Sequence, residues 1–414
     1  MRFIVLAIFA TVIIYPLLNL KYDKTALYQM PCLISITTLA FIFPSLALNV
    51  TNHKLFPDAS YFIYVINAIL CMLGAYWGYY FGQNPDIYRI NSDNEYDRNK
   101  VVFYTSIFFL IGAFFSLQIN PFELGGITEG FDVIKITLGR LIRPASIILI
   151  FCFLKKKSYW LVFLLLVWLF VTMRFIVISG RRSEVFILLI SLLLPLFFVR
   201  NVILSKLRYI IIGVVFGMSV FIVLPVIREF TKQQAYMKVQ NINAIELFDT
   251  YLSGNKTNEV AEAAFNVEVI YKENGYNYGA SFYNSFVNQF VSSTLFGKDA
   301  KKDALINVTT IKELRGRHYN AQLGSYKFYL TPTGYADSFY SFGFLAFLLY
   351  GVFGYISRRI YDKAIYSDDI MNKIFYSFYV IMIFNSVYES ISHIPVLLMM
   401  YLVVYLPVKY LSRI

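Results

Sequence analysis

The chain alternates between long apolar segments and shorter polar ones, and most of the apolar segments have the length of a membrane-spanning helix. A helix needs about 20 mainly apolar residues to cross the hydrocarbon core of a bilayer. The pattern predicts eleven spans, at residues 3–20, 29–52, 59–85, 101–122, 140–155, 158–179, 185–200, 209–227, 336–357, 374–392 and 394–408. We therefore expect an all-α polytopic membrane protein.

One long polar segment interrupts this pattern. Residues 228–335 are charged and rich in Tyr and Asn, and polar backbone of this kind needs the water that a bilayer interior does not offer. The chain is predicted to hold transmembrane helices 1–8 in residues 1–227, a large loop in residues 228–335, and transmembrane helices 9–11 in residues 336–414. Residues 123–139 are predicted to be an amphipathic connector. The first apolar run is expected to be a retained helix, because no small-residue cleavage site precedes Lys21.

Composition supports this assignment and excludes several classes of protein. Of the 414 residues, 58% are apolar and only 15% are charged, whereas a soluble surface usually requires about a quarter of charged residues. The net charge of +12 is the excess of Lys and Arg that membrane proteins carry in cytoplasmic loops, so no nucleic acid partner is expected. Cys32, Cys71 and Cys152 all lie in apolar runs, which argues against a disulfide framework or a thiolate metal site.

Basic residues near the ends of the spans predict the orientation of the chain, because Lys and Arg are retained on the cytoplasmic side. The strongest clusters are Lys155, Lys156 and Lys157, then Arg200, Lys206 and Arg208, and then Arg358, Arg359 and Lys363. Placing all three clusters in the cytoplasm puts residues 228–335 on the opposite face. In a bacterium that face is the periplasm or the cell exterior, where neither ATP nor a nucleotide sugar is available.

Several arginines fall on the outer side of this arrangement, where the charge rule does not require them. They are Arg140, Arg143, Arg174, Arg181, Arg182 and Arg228. A buried arginine costs at least about 2.5 kcal/mol on insertion scales, whereas a guanidinium fork matches phosphate oxygens in pairs. We predict that Arg174, Arg181, Arg182 and Arg228 bind a lipid-linked diphosphate at headgroup depth, with Glu184 orienting one of them. The alternatives are a snorkelling side chain for Arg174 and an exposed hairpin turn for Arg181 and Arg182.

The loop also offers a candidate general base. His318 is flanked by Arg315 and Arg317, and two neighbouring cations disfavour a protonated imidazole, which leaves it able to accept a proton. We predict that His318 takes a proton from the substrate while Arg315 and Arg317 hold anionic substrate nearby. The alternatives are that His318 is a solvated loop histidine and that a loop carboxylate takes the proton. The spacing of His53, His318 and His393 matches no metal-binding pattern, so no metal site is expected.

Other ionisable residues have structural interpretations. Glu389 and His393 are four residues apart and are expected to pair on one helix face. The loop carboxylates are spaced like the polar face of one or two surface helices, and they are Glu246, Asp249, Glu259, Glu262, Glu268 and Glu273.

Taken together, these features resemble the bacterial oligosaccharide repeat-unit polymerases, the Wzy-type O-antigen polymerase family. The resemblance rests on the Gly-Arg-Arg-Ser-Glu turn at residues 180–184, the Gly-Tyr-Asn-Tyr-Gly-Ala-Ser-Phe segment at 275–282 and the Arg-His-Tyr-Asn segment at 317–320. The ninth span also begins with a glycine-containing segment, Ser-Phe-Gly-Phe at 341–344. In layout the resemblance covers the whole chain.

The resemblance implies a GT-C-like membrane glycosyltransferase that needs neither metal nor cofactor. In the bacterial inner membrane, it would transfer a growing glycan from undecaprenyl diphosphate to a new undecaprenyl-diphosphate-linked repeat unit on the extracytoplasmic face. Tyr278, Tyr319 and Asn320 would contact the glycan, and membrane lipids and a chain-length regulator protein would be partners. The alternatives are an O-antigen ligase and, in a different class, a lipid-linked oligosaccharide flippase or other transporter.

Overall fold

The computed structural model describes residues 1–53, 55–83, 95–120, 131–179, 182–203, 259–318 and 333–414, and positions 212, 213, 219 and 223. The main helices are α1 (Arg2–Leu18), α2 (Met30–Phe41), α3 (Phe43–Leu48), α4 (Asp58–Phe81), α5 (Arg98–Gln118), α6 (Phe131–Gly139), α7 (Ile142–Lys155), α8 (Tyr159–Ser179), α9 (Arg182–Arg200), α10 (Glu259–Glu273), α11 (Ala280–Phe290), α12 (Ser293–Phe296), α13 (Lys298–Ala304), α14 (Ile311–His318), α15 (Gly334–Phe342), α16 (Ala346–Tyr366), α17 (Ile370–Tyr388) and α18 (Ile394–Leu411). The described part of the chain is thus all helical.

Nine helical segments among the described residues are long and apolar enough to cross a membrane. They are Arg2–Lys21, Asp58–Phe81, Arg98–Gln118, Phe131–Lys155, Tyr159–Ile178, Ser183–Arg200, Gly334–Tyr366, Ile370–Tyr388 and Ile391–Leu411. These segments match nine of the eleven predicted spans and confirm the prediction of a polytopic helical membrane protein. The predicted span 209–227 lies outside the described residues except for a few positions.

Proline explains two of the places where the described helices differ from the prediction. Residues 29–52 were expected to form one span but form the short helices α2 and α3, which are separated at Ile42. Pro44 cannot donate the backbone hydrogen bond that a continuous helix would need. In the same way, Pro144 accompanies the turn between α6 and α7. Residues 131–139, which were predicted to belong to the connector, form the first part of the apolar helical segment Phe131–Lys155.

Glycines bring α4 and α16 into close backbone contact. A Cβ atom added to Gly78 would lie 1.9 Å from the carbonyl oxygen of Gly351, and one added to Gly74 would lie 2.2 Å from the carbonyl oxygen of Phe347. Small residues let helix backbones approach each other in membranes. At the kink between α15 and α16, Gly343 adopts a φ of +58°, which favours glycine. Close backbone packing thus joins α4 to α16.

Hydrogen bonds show which helix ends lie together. At one end, Arg98 donates to the carbonyl oxygen of Lys156 (Nη2–O 2.6 Å), and the backbone N–H of Ile414 donates to the carbonyl oxygen of Glu95 (3.1 Å). Other cations at this end are Lys155, Arg200, Arg358 and Lys373. We call it the basic end. We call the opposite end, where residues 259–318 pack, the loop end.

Helix α10 at the loop end is buried, although its carboxylates were expected to line a surface helix. Glu262 and Glu268 are 6% and 3% exposed. The carboxylate of Glu268 accepts hydrogen bonds from the hydroxyl of Ser60 in α4 and from Nζ of Lys272 (2.5 Å). Because a buried carboxylate needs such partners, Glu268 ties the loop segment to the membrane helices.

Candidate functional site

An ion pair joins two membrane helices at the loop end. Arg143 lies in the first turn of α7 and Glu184 in the first turn of α9, and Nη2 of Arg143 donates to Oε1 of Glu184. The Glu184 side chain is 10% exposed and that of Arg143 is 26% exposed. Removing both charges from water costs several kcal/mol per ion. Charged residues retained in this position are therefore candidates for function.

Further charged and polar side chains surround this pair. Arg143 interacts electrostatically with Glu389 and Tyr401 as well as with Glu184. His393 interacts in the same way with Glu389, Arg140 and Asp337. The set comprises Arg140, Arg143, Glu184, Asp337, Glu389, His393 and Tyr401, and we call it the loop-end cluster. It combines cations that can hold an anion with carboxylates and an imidazole that can accept a proton.

Glu389 and His393 do not share a helix, in contrast to the prediction. Helix α17 ends at Tyr388, and His393 belongs to a short 3₁₀ turn that leads into α18. Asp337 fixes this turn, because its carboxylate accepts hydrogen bonds from Oγ of Ser390 (2.6 Å) and from the backbone N–H of Ser392 (2.9 Å). The two residues nevertheless remain within electrostatic range of each other.

Tyr401 extends the cluster into the membrane bundle. It follows His393 by two helical turns, about 12 Å along the axis of α18. Its side chain is 1% exposed, and its hydroxyl has no hydrogen-bond partner among the described residues. A buried polar group without a partner costs about 1–3 kcal/mol. The hydroxyl lies within electrostatic range of Arg143 and Glu184, where it could donate to a bound anion.

Helix α11 connects the cluster to an aromatic surface. Near the end of this helix, the side-chain oxygen of Gln289 accepts a hydrogen bond from Arg140 (Nη1–Oε1 3.0 Å). In its middle, Ser285 donates to the hydroxyl of Ser392 (3.4 Å). The helix begins after Gly279, about 15 Å from Gln289 along its axis. The segment before Gly279 therefore lies at the opposite end of α11 from the contact between Gln289 and Arg140.

The segment before Gly279 presents tyrosines to solvent. Tyr278 is 80% exposed, and its ring centroid lies 6.4 Å from that of Tyr276. Burial, together with the neighbouring Tyr271 and Tyr278, raises the pKa of Tyr276. We call Tyr271, Tyr276 and Tyr278 the tyrosine surface. Tyr278, predicted to bind glycan, is thus accessible to a large ligand.

Arg174 has protein partners at the loop end. Its Nη1 atom lies 3.3 Å from the carbonyl oxygen of Ser116 and 2.9 Å from that of Leu117, and its Nη2 atom lies 3.2 Å from that of Ile119. These carbonyls end α5, and a cation is favourable at a helix C-terminus. The sequence analysis did not foresee this contact. A role for Arg174 in diphosphate binding stays a prediction.

The other predicted site residues are described only in part. Outside the described residues lie Arg181, Arg228, Tyr319 and Asn320, and the side chains of Arg182, Arg317 and His318. Arg315 is 7% exposed, and its guanidinium carbon lies 4.9 Å from the centroid of the Phe265 ring. Such stacking is favourable and packs α14 against α10. Little of the Arg315 surface is left for substrate.

The sequence analysis noted most members of the loop-end cluster but did not group them, and it missed Asp337 and Tyr401. Within the described residues, no group of three or more His, Cys, Asp or Glu side chains could hold a metal ion. Comparison of the chain with protein-family models, curated proteins and solved structures found no match. The function must therefore be inferred from the chemistry of the site.

Proposed function

We propose that the protein is a membrane glycosyltransferase that polymerises oligosaccharide repeat units carried on undecaprenyl diphosphate. The observation that supports this most strongly is the Arg143–Glu184 pair, which lies between membrane helices beside Arg140, Glu389 and His393. A reaction at lipid-headgroup depth that releases a diphosphate needs both fixed cations and a proton acceptor. The loop-end cluster contains both.

In the proposed reaction, the bond between the anomeric carbon of the growing glycan and its carrier diphosphate breaks. A hydroxyl of the next repeat unit forms the new glycosidic bond and loses its proton. Charge develops on the leaving diphosphate, so fixed donors that face it lower the barrier. Arg143 is oriented by Glu184 and Arg140 by Gln289. Both arginines are therefore already held in place and can stabilise the leaving diphosphate without first becoming ordered.

The start of α9 adds to the proposed diphosphate site. This helix begins at Arg182, within the turn predicted at residues 180–184, and its first turn contains Glu184. Free backbone N–H groups and the helix dipole attract anions to a helix N-terminus. Within the described cluster, the three carboxylates outnumber the two arginines. The proposal therefore assigns the diphosphate to Arg143 together with Arg181, Arg182 and this N-terminus.

The acceptor proton has several candidate destinations. A positioned carboxylate or imidazole typically contributes about 10² to 10⁴-fold to such a reaction. Glu389 and His393 join His318 as candidates, since both belong to the loop-end cluster. The tyrosine surface, at the other end of α11, would contact the sugars of the glycan while its diphosphate occupies the cluster.

Complementation of a deletion strain tests the proposal. The gene is deleted in its host, variants are returned on a plasmid, and the surface glycan is separated by length. We expect Arg143→Ala to leave single repeat units attached to the cell-surface acceptor, while the double change Arg358→Met and Asp362→Leu at the basic end keeps the long chains. Membrane levels of both variants are measured in parallel.

Each alternative function has its own outcome in this experiment. A strain without any attached repeat unit would indicate a ligase or a flippase. These two differ in the leaflet where the lipid-linked glycan accumulates. Flippases and other transporters often line a midplane cavity with charged residues, whereas the charged residues of the cluster lie towards the loop end. Long chains in the Arg143→Ala strain would refute the assignment of the active site.

A further inference from the structure

A cavity with a basic lining lies at the basic end, on the opposite side of the bundle from the loop-end cluster. It has a volume of about 320 Å³ and lies between the ends of α7 and α9 and the start of α17. Its lining includes the basic residues Lys155, Arg200 and Lys373 and the apolar residues Leu154, Phe198 and Ile370. Each of the three helices supplies one cation and at least one apolar side chain, and α9 supplies Val199 as a second.

The charges of this cavity are unbalanced. Asp368 is the acidic residue of the lining, and the adjacent Asp369 also acts electrostatically on Lys373, so three cations and these two carboxylates leave a net charge of +1. Lys155 acts electrostatically on Lys373, and such like charges repel each other. The retention of Lys and Arg on the cytoplasmic side of a membrane explains why cations occur at the helix ends here. It does not explain why cations from three helices converge on one cavity, whereas a bound anion would offset their repulsion.

The apolar half of the lining narrows the chemistry of that anion. An inorganic phosphate would contact the lysines and the arginine but would gain nothing from Leu154, Phe198 and Ile370. A phospholipid carries a phosphate next to apolar chains, and its phosphate lies at the depth of helix ends. Basic pockets between membrane helices bind anionic lipid headgroups. The basic residues of the lining fit the phosphate of such a lipid, and the apolar residues fit its acyl chains.

We propose that this cavity binds the phosphate headgroup of an anionic phospholipid from the leaflet at the basic end. Lys155, Arg200 and Lys373 hold the phosphate, and the apolar side chains contact the first part of the acyl chains. The lipid thereby links α7, α9 and α17. Two of these helices, α7 and α9, also carry the Arg143–Glu184 pair at their other ends.

The test uses the full-length protein, purified in an uncharged detergent. Phosphatidylglycerol, phosphatidylcholine or inorganic phosphate is added, and the unfolding temperature and the lipid retained in native mass spectra are measured. We expect phosphatidylglycerol to raise the unfolding temperature and to remain bound, and the other two to have little effect. Lys373→Gln and Lys155→Gln should each remove at least half of the shift.

Lys157→Gln is the matched control. Lys157 belongs to the same basic run as Lys155 and is exposed, but it does not line the cavity. Lys157→Gln should show the same lipid-dependent rise in unfolding temperature, and retain the same lipid, as the unchanged protein. An equal loss in Lys157→Gln would mean that lipid responds only to overall surface charge and would overturn the proposal. An equal shift with inorganic phosphate would overturn the assignment to a lipid, and unchanged binding in both cavity variants would overturn the site.

Discussion

The two ends of the helical bundle use buried arginines in different ways. At the basic end, Arg358 pairs with Asp362 one turn later in the same helix (Nε–Oδ2 2.9 Å), and its guanidinium carbon lies 5.2 Å from the centroid of the Tyr79 ring. At the loop end, Arg143 pairs with Glu184 from another helix. The first pair forms as its own helix forms. The second requires two helices to bring desolvated charges together, which is far more costly.

Two buried tyrosines add to this comparison. Tyr361 at the basic end donates to Oγ1 of Thr25 (2.9 Å). Tyr401 is equally buried, but its hydroxyl has no partner among the described residues, and the same holds for the hydroxyls of Tyr79 and Ser357 towards the basic end. Tyr401 differs from these two because its hydroxyl lies within electrostatic range of both members of the interhelical Arg143–Glu184 pair, where a bound ligand could use it.

Breaking the two ion pairs should have the largest effects. Glu184→Ala leaves Arg143 without its carboxylate and should lower the free energy of unfolding by about 3–5 kcal/mol. Replacing both residues, with Arg143→Met and Glu184→Leu, should restore stability because well-packed apolar side chains often replace a buried pair without loss. We expect neither variant to produce long glycan chains. Unfolding temperature and glycan length are measured on the same preparations.

The double change Arg358→Met and Asp362→Leu is the control for the basic end. It should keep both stability and long chains, because well-packed apolar side chains often replace a buried pair without loss and this pair lies at the end of the bundle away from the proposed site. Normal polymerisation by the loop-end double variant would show that Arg143 and Glu184 are structural. The difference between the two ion pairs would then say nothing about where the active site lies.

The unpaired hydroxyl should produce the next largest effect. Tyr401→Phe removes an unsatisfied group, so the free energy of unfolding should stay the same or rise. Tyr361→Phe removes a hydrogen bond and should lower it by about 1 kcal/mol. A hydrogen bond from Tyr401 to an anionic substrate would contribute about 1.5–3 kcal/mol, so Tyr401→Phe should slow polymerisation about tenfold or more. Full activity in purified Tyr401→Phe protein would exclude this contact.

Local pattern was sufficient to predict most of the described fold. Apolar runs of the right length predicted eleven spans, and nine of them match helical segments of the structure, because length and hydropathy are properties of the segment itself. The errors came from Pro44 and Pro144, which interrupt helices within apolar runs. The burial of Glu268 also escaped prediction, since its partner Ser60 lies far away in the chain.

The site was less predictable for the same reason. Arg143 and Glu184 were noticeable as charges near apolar segments, but their pairing depends on how α7 packs against α9. Tyr401 is one of 34 tyrosines, and no pattern distinguishes it from those that face lipid. Only the packed structure shows that its hydroxyl is buried near two charges.

Arginines that contact helix ends allow a more sensitive test of the two ends. Arg174 contacts the carbonyls that end α5 at the loop end, and Arg98 contacts the Lys156 carbonyl after α7 at the basic end. We expect Arg174→Gln and Arg98→Gln each to lower the free energy of unfolding by about 1 kcal/mol. Polymerisation per folded molecule should be retained in both. A selective loss in Arg174→Gln would instead support its predicted place in the diphosphate site.

Two exposed tyrosines should show the smallest effects on stability. Tyr278 at the loop end and Tyr22 at the basic end are 80% and 83% exposed, so removing either ring costs little packing. Tyr278 also has a φ of +50°, a conformation that costs a side chain about 1–2 kcal/mol and glycine almost nothing. Tyr278→Gly should therefore raise the free energy of unfolding by up to about 1 kcal/mol, whereas Tyr22→Gly should not. If the ring holds sugars, the more stable Tyr278→Gly protein should nevertheless make chains several-fold shorter, and unchanged chain length would remove Tyr278 from the glycan site.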